Sequence, residues 1–121
     1  MTASPPGSKP PNAIPLELDT DDLLVAFDLL SSNTSLQPGV ELAAPGGAGV
    51  TFRSRVGKGP RAPAGRMAFE LVRVTPANMD RVAEWLERCL RSRLPVIRIG
   101  RATVPVELAA LRQALGRVAS E

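Results

Sequence analysis

"GVTFRSRVGKGPRAPAGRMAFELVRV", residues 49–74, decides the fold. Val50, Phe52 and Val56 alternate with Thr51, Arg53 and Arg55, and Met67, Phe69 and Leu71 share one side of the run that follows. Alternation with a period of two is the mark of a half-buried strand, because successive side chains leave opposite faces. The two runs therefore read as an antiparallel pair joined by a long basic connection. With Val56 opposite Met67, Arg53 falls opposite Glu70, a cross-strand ion pair worth a few tenths of a kcal/mol.

The connection itself, "RSRVGKGPRAPAGR" at 53–66, carries five cations and no acid. A phosphate-cradling loop needs free backbone amides and a Lys-Ser/Thr pair opening a helix. Here Lys58 is followed by Gly59, Pro60 and Pro63 remove amides, and a strand comes next. The stretch is thus read as a solvated hairpin tip. Its second reading is electrostatic contact with nucleic acid through Arg53, Arg55, Lys58, Arg61 and Arg66, a contact that salt would weaken steeply.

Upstream, "AIPLELD" alternates Ile14, Leu16 and Leu18 against Pro15 and Glu17. Pro15 donates no backbone hydrogen bond, which suits an edge strand or the first residues of a strand. "DTDDLLVAFDLLSSN" then places Leu23, Ala26, Phe27 and Leu30 on one helical face, with Asp19 or Thr20 as the cap and Ser31–Asn33 as the stop. A short strand at Val40–Ala43 lies between turn signals.

Downstream, "TPANMDRVAEWLERCLRSR" is the clearest helix, with Thr75 as N-cap and Pro76 at the first helical position. Met79, Val82, Ala83, Leu86 and Leu90 form its apolar stripe. "PVIRIG" and "TVPV" read as two short strands around a turn at Gly100–Ala102, and "ELAALRQALGRVASE" closes the chain as a helix with Leu108, Leu111, Leu115 and Val118 in register. Gly116 weakens that helix by roughly 1 kcal/mol relative to Ala. The order predicts an α+β fold, a small, mainly antiparallel sheet with two or three helices packed on one face. At 121 residues the chain suits one domain over 13–121, preceded by a disordered Pro-rich tail at 1–12.

Histidine is absent and Cys89 is the single cysteine. Ser-His-Asp and Cys-His catalysis, imidazole metal sites and internal disulfides are thereby excluded within the chain. Arg88, Arg91 and Arg93 would favour a Cys89 thiolate, yet mid-helix placement without a base marks a packed thiol. The acids Glu17, Asp19, Asp21 and Asp22 lack the glycine turn and the later bidentate acid of a calcium loop, so helix capping accounts for them. No cofactor, no metal and no catalytic residue is expected, and no run approaches the roughly 20 apolar residues of a membrane helix.

Charge is divided along the chain. Residues 1–50 hold one cation and six acids, and residues 51–121 hold fourteen cations and six acids. Halves of opposite sign attract within one fold or between copies. Trp85, flanking the apolar stripe, is either a core cap or a partner anchor, since Trp is over-represented at binding hot spots.

"VAEWLERCLRSRLPVIRIGRATVPVELAALRQAL" (82–115), with "IPLELDTDDLLVAF" (14–27), resembles the small effector-associated accessory domains of predicted conflict or signalling systems in high-GC bacteria. The resemblance implies a non-catalytic adaptor, and no catalytic residues carry over. The expected function is accordingly a bacterial, cytoplasmic protein-protein interaction module that meets a partner, or a second copy as a homodimer, through Trp85, Arg88 and Arg91. The alternative is a nucleic-acid-binding module using the 53–66 hairpin and the Arg-rich end of the 76–93 helix.

Overall fold

The structure is a computed structural model that describes residues 13–30 and 37–119. The Pro-rich tail and the Ser31–Asn33 helix stop lie outside the described residues. Among the described residues, strands and α-helices follow in the order β1 (Ile14–Leu18), α1 (Leu23–Leu30), β2 (Glu41–Ala43), β3 (Gly49–Val56), β4 (Arg66–Val72), α2 (Met79–Leu90), β5 (Val96–Ile99), β6 (Ala102–Pro105) and α3 (Leu108–Ala119), with a 3-10 turn at Pro45–Gly47 between β2 and β3. The six strands make one antiparallel sheet in the order β2-β3-β4-β1-β5-β6. The small α+β fold expected from the element order is the one observed.

One face of the sheet supplies the core. Ile14, Leu16 and Leu18 of β1 lie opposite Leu71, Phe69 and Met67 of β4, and Val50 and Phe52 of β3 continue the same rows. Ile97, Ile99 and Val104 extend the core toward the other edge, and Val82, Ala83, Trp85, Leu86 and Leu90 of α2 join it with Leu111, Ala114 and Leu115 of α3. From α1 the buried residues are Val25, Ala26, Leu29 and Leu30. Leu23 is exposed and Phe27 only half-buried, so this helix is rotated from the face expected for it. At its start the Asp22 carboxylate accepts the Leu24 N–H at 3.0 Å, and the Thr20 hydroxyl accepts the Asp22 N–H at 3.1 Å.

β1 is a central strand, and Pro15 is tolerated there because of where its nitrogen points. The Pro15 carbonyl accepts the Gly100 N–H at 2.8 Å, so its backbone faces the β5–β6 turn. The β1–β5 ladder begins only at Leu16–Ile99, and the missing donor therefore falls at the ladder's end.

The β3–β4 register differs from the expected one. Phe52 pairs with Phe69 and Ser54 with Ala68, leaving Arg53 as the extra residue of a β-bulge. One inserted residue exchanges the two faces beyond it. Val56 therefore lies opposite Arg66 and is 52% exposed, instead of opposite Met67 on the core side.

α2 begins at Met79, three residues after Pro76, because Thr75–Asn78 forms a separate turn closed by the Asn78 and Met79 N–H groups on the Thr75 carbonyl. α2 and α3 cross where Gly116 meets Met79, and a Cβ at 116 would lie 3.2 Å from the Met79 sulfur. The glycine is thus a contact residue as well as a weak helix former. Gly116→Ala is expected to leave stability within about 0.5 kcal/mol of wild type, the propensity gain of roughly 1 kcal/mol being offset by displacement of Met79. Urea unfolding checks this, and a full gain would show that Met79 moves aside freely.

Candidate protein-contact face

Four of the fourteen cations in the basic half, Arg66, Arg73, Arg93 and Arg98, form ion pairs with acids of the acidic half. Arg98 donates through Nε to Glu17 at 2.9 Å and grips Asp19 with both terminal nitrogens at 2.9 and 2.8 Å. Arg66 approaches the same Asp19 carboxylate at 3.6 Å. The Arg98 hydrogen bonds hold the Asp19 carboxyl below its usual range, and the two acids hold the Arg98 guanidinium above its own. Arg93 pairs with Asp28 at 2.6 Å, Arg112 with Asp80 at 2.8 Å, and Arg73 takes Glu41 in a bidentate pair that lowers the Glu41 carboxyl. The acids at the start of the chain thus serve as partners of arginines and, for Asp22, as a helix cap.

The hairpin is drawn into the same network. Arg53 reaches Glu70 at 3.4 Å from its bulge position, and the Arg55 Nε donates to the Asp21 carbonyl at 3.0 Å. With Arg66 on Asp19, three of the five hairpin cations contact the protein itself, and Lys58 and Arg61 remain at the tip. That tip is closed by reciprocal Gly59 and Ala62 backbone hydrogen bonds at 3.1 and 3.2 Å, with Ala62 buried.

α2 presents the other group of candidate residues. Trp85 is 5% exposed and sits in the core, since it follows Val82 by three positions on the stripe that faces the sheet. It leaves the group of candidate partner contacts. The outward side of α2 carries Glu84, Arg88 and Arg91, all exposed. With Glu87 and Ser92 they line an open concavity of about 660 Å³. Glu87 is fixed in place because its carboxylate accepts the Leu108 N–H at 3.1 Å, capping the first turn of α3. Sequence reading missed that cap, as Glu87 and Leu108 are far apart in the chain.

Arg88 and Arg91 make no ion pair with another described residue. Cys89 beside them is half-buried, with its sulfur 3.9 Å from the Asp28 carbonyl. Burial pushes its thiol up, outweighing the opposing pull of Arg88 and Arg93. Among the described residues no helix is long and apolar enough to cross a membrane.

No family model matches the sequence, and no curated protein or solved structure matches it either.

Proposed function

We propose that this chain is a non-catalytic module of the bacterial cytoplasm that binds a protein partner, a second copy included, through the outward face of α2. One observation carries the reading. Arg88 and Arg91, uncommitted to any ion pair with a described residue, share a concavity with the acids Glu84 and Glu87. Both signs of charge on one fixed surface suit another protein's mixed charges and give register to the contact. A phosphate polymer would be repelled by the two glutamates, and on the hairpin only Lys58 and Arg61 make no side-chain hydrogen bond or ion pair with another described residue. Nucleic-acid contact therefore ranks second.

Arg88→Glu with Arg91→Glu tests the reading, because both residues are exposed and the fold keeps its core. Stoichiometric capture of a protein from native lysate, or concentration-dependent dimer mass by light scattering, is expected for the wild type. At least tenfold loss is expected in the double variant, with an unchanged circular dichroism spectrum. A strict monomer that retains no protein overturns the proposal. Oligonucleotide binding at low salt that falls with Lys58→Ala and Arg61→Ala would favour the alternative.

A further inference from the structure

The outer edge of the sheet at β6 is built unlike the α2 face. The two-residue turn Gly100–Arg101 closes on the Ile99–Ala102 pair. In a two-residue hairpin the closing pair is hydrogen-bonded, so the next residue on each strand turns its backbone groups the other way. Thr103, exposed, thus directs its N–H and C=O outward from the last strand of the sheet. Pro105, the next residue to face outward, has no N–H, and its carbonyl already accepts the Glu107 N–H at 2.8 Å. One residue, Thr103, therefore offers a complete donor-acceptor pair.

Beside that edge runs a groove between β6 and α3. A cleft of about 160 Å³ lies against Ala110, Gln113 and Ala114, and at Ala102, Ala114 and Arg117 it meets a larger cavity of about 690 Å³ around the hairpin turn. Volumes of this order accommodate several side chains of a ligand. Among the described residues, the only charged ones lining either cavity are Arg101 and Arg117, with no aspartate or glutamate. Neither arginine makes an ion pair with another described residue, whereas Arg53, Arg66, Arg73, Arg93, Arg98 and Arg112 all do.

We propose that β6 and the adjoining side of α3 bind an extended acidic peptide segment of a partner protein, pairing its backbone with Thr103 and its carboxylates with Arg101 and Arg117. An added strand gains its register from main-chain hydrogen bonds, and its alternate side chains fall into the groove along Ala110 and Ala114. Charge selects the occupant, since two guanidiniums with no acid among the described lining residues disfavour a basic strand. The edge shares no residue with the α2 concavity, so this proposal and the α2 reading stand or fall separately.

The probe is a fluorescein-labelled eight-residue peptide of alternating glutamate and valine, titrated with the full chain and followed by anisotropy. The same peptide with lysine for glutamate is the comparison. Saturable binding of the acidic peptide only is expected, weakened at least tenfold in Arg101→Glu with Arg117→Glu and weakened by salt. These residues are exposed, so the variant keeps its fold, which circular dichroism verifies. No binding at millimolar protein and low salt overturns the proposal, as does equal binding of the lysine peptide or unchanged affinity in the double variant. Free glutamate competing at the peptide's own concentration would reduce the site to a carboxylate pocket and overturn it too. So would a peptide-free dimer that the double variant disperses, which would seat a second copy on this edge.

Discussion

Phe69→Ala is expected to remove about 4 kcal/mol of stability, the largest loss from any single truncation considered. Phe69 is 1% exposed and lies opposite Leu16 on one side and Phe52 on the other. Its ring meets that of Phe52 edge to face, with centroids 5.7 Å apart. An edge-to-face pair adds roughly 0.5–1.5 kcal/mol to simple burial. Alanine removes both the transfer energy of the ring and the contacts of its neighbours, and a sheet closed on both sides of β4 cannot collapse into the space. Phe69→Leu retains much of the volume and is expected to lose about 1.5 kcal/mol. Urea unfolding with an unchanged denaturant slope is the measurement. A loss below about 1.5 kcal/mol for the alanine variant would show that the β3–β4 pair does not form the centre of the core.

That pair was legible in the sequence because period-two alternation needs only local residues to be seen. Its register was not. A bulge at Arg53 leaves the alternation intact on each side while exchanging the faces, and only the partner strand shows where the extra residue sits. The Arg53–Glu70 ion pair forms all the same, from the bulge instead of from a regular cross-strand position. The central place of β1 was obscured by Pro15, whose lost donor is harmless only because the ladder to β5 starts one residue later. For α2, the stripe from Val82 to Leu90 announced the buried face, and Trp85 belongs to it by spacing. Hot-spot statistics for Trp argued for a surface role that the helix geometry does not allow. Charge segregation was legible as a sum, and the attraction within one fold is the outcome, through Arg98, Arg66, Arg93 and Arg73. Which arginines stay uncommitted depends on the three-dimensional pairing, so Arg101 and Arg117 carried no signal in the chain. Asn78 was equally silent, since a helix expected to start at Pro76 places it within the first helical turn and not at a junction.

Asn78→Ala is expected to lose about 3 kcal/mol, because this residue joins three separate pieces of backbone. Its side-chain oxygen accepts the Thr75 N–H at 2.8 Å, and its side-chain nitrogen donates to the carbonyls of Gly46 at 3.0 Å and Arg73 at 2.8 Å. The residue is 6% exposed, and a buried polar group left without a partner costs roughly 1–3 kcal/mol. Three such groups would exceed the expected loss, but Thr75, Pro76, Ala77 and Gly46 are exposed, so water reaches part of the gap. Arg73 adopts φ 57, a conformation that non-glycine residues seldom hold, and the Asn78 hydrogen bond to its carbonyl helps fix it. Asn78→Asp separates the two roles, since the carboxylate keeps the Thr75 contact but faces two carbonyl oxygens. It is expected to lose at least as much as alanine near neutral pH. Gly46 approaches so closely that a Cβ there would stand 2.5 Å from the Asn78 Cβ, and its own φ is 71. Gly46→Ala should therefore destabilise the same junction by steric means alone. Thermal and urea unfolding of the three variants check this, and an Asn78→Ala protein within 1 kcal/mol of wild type would show that water replaces all three hydrogen bonds.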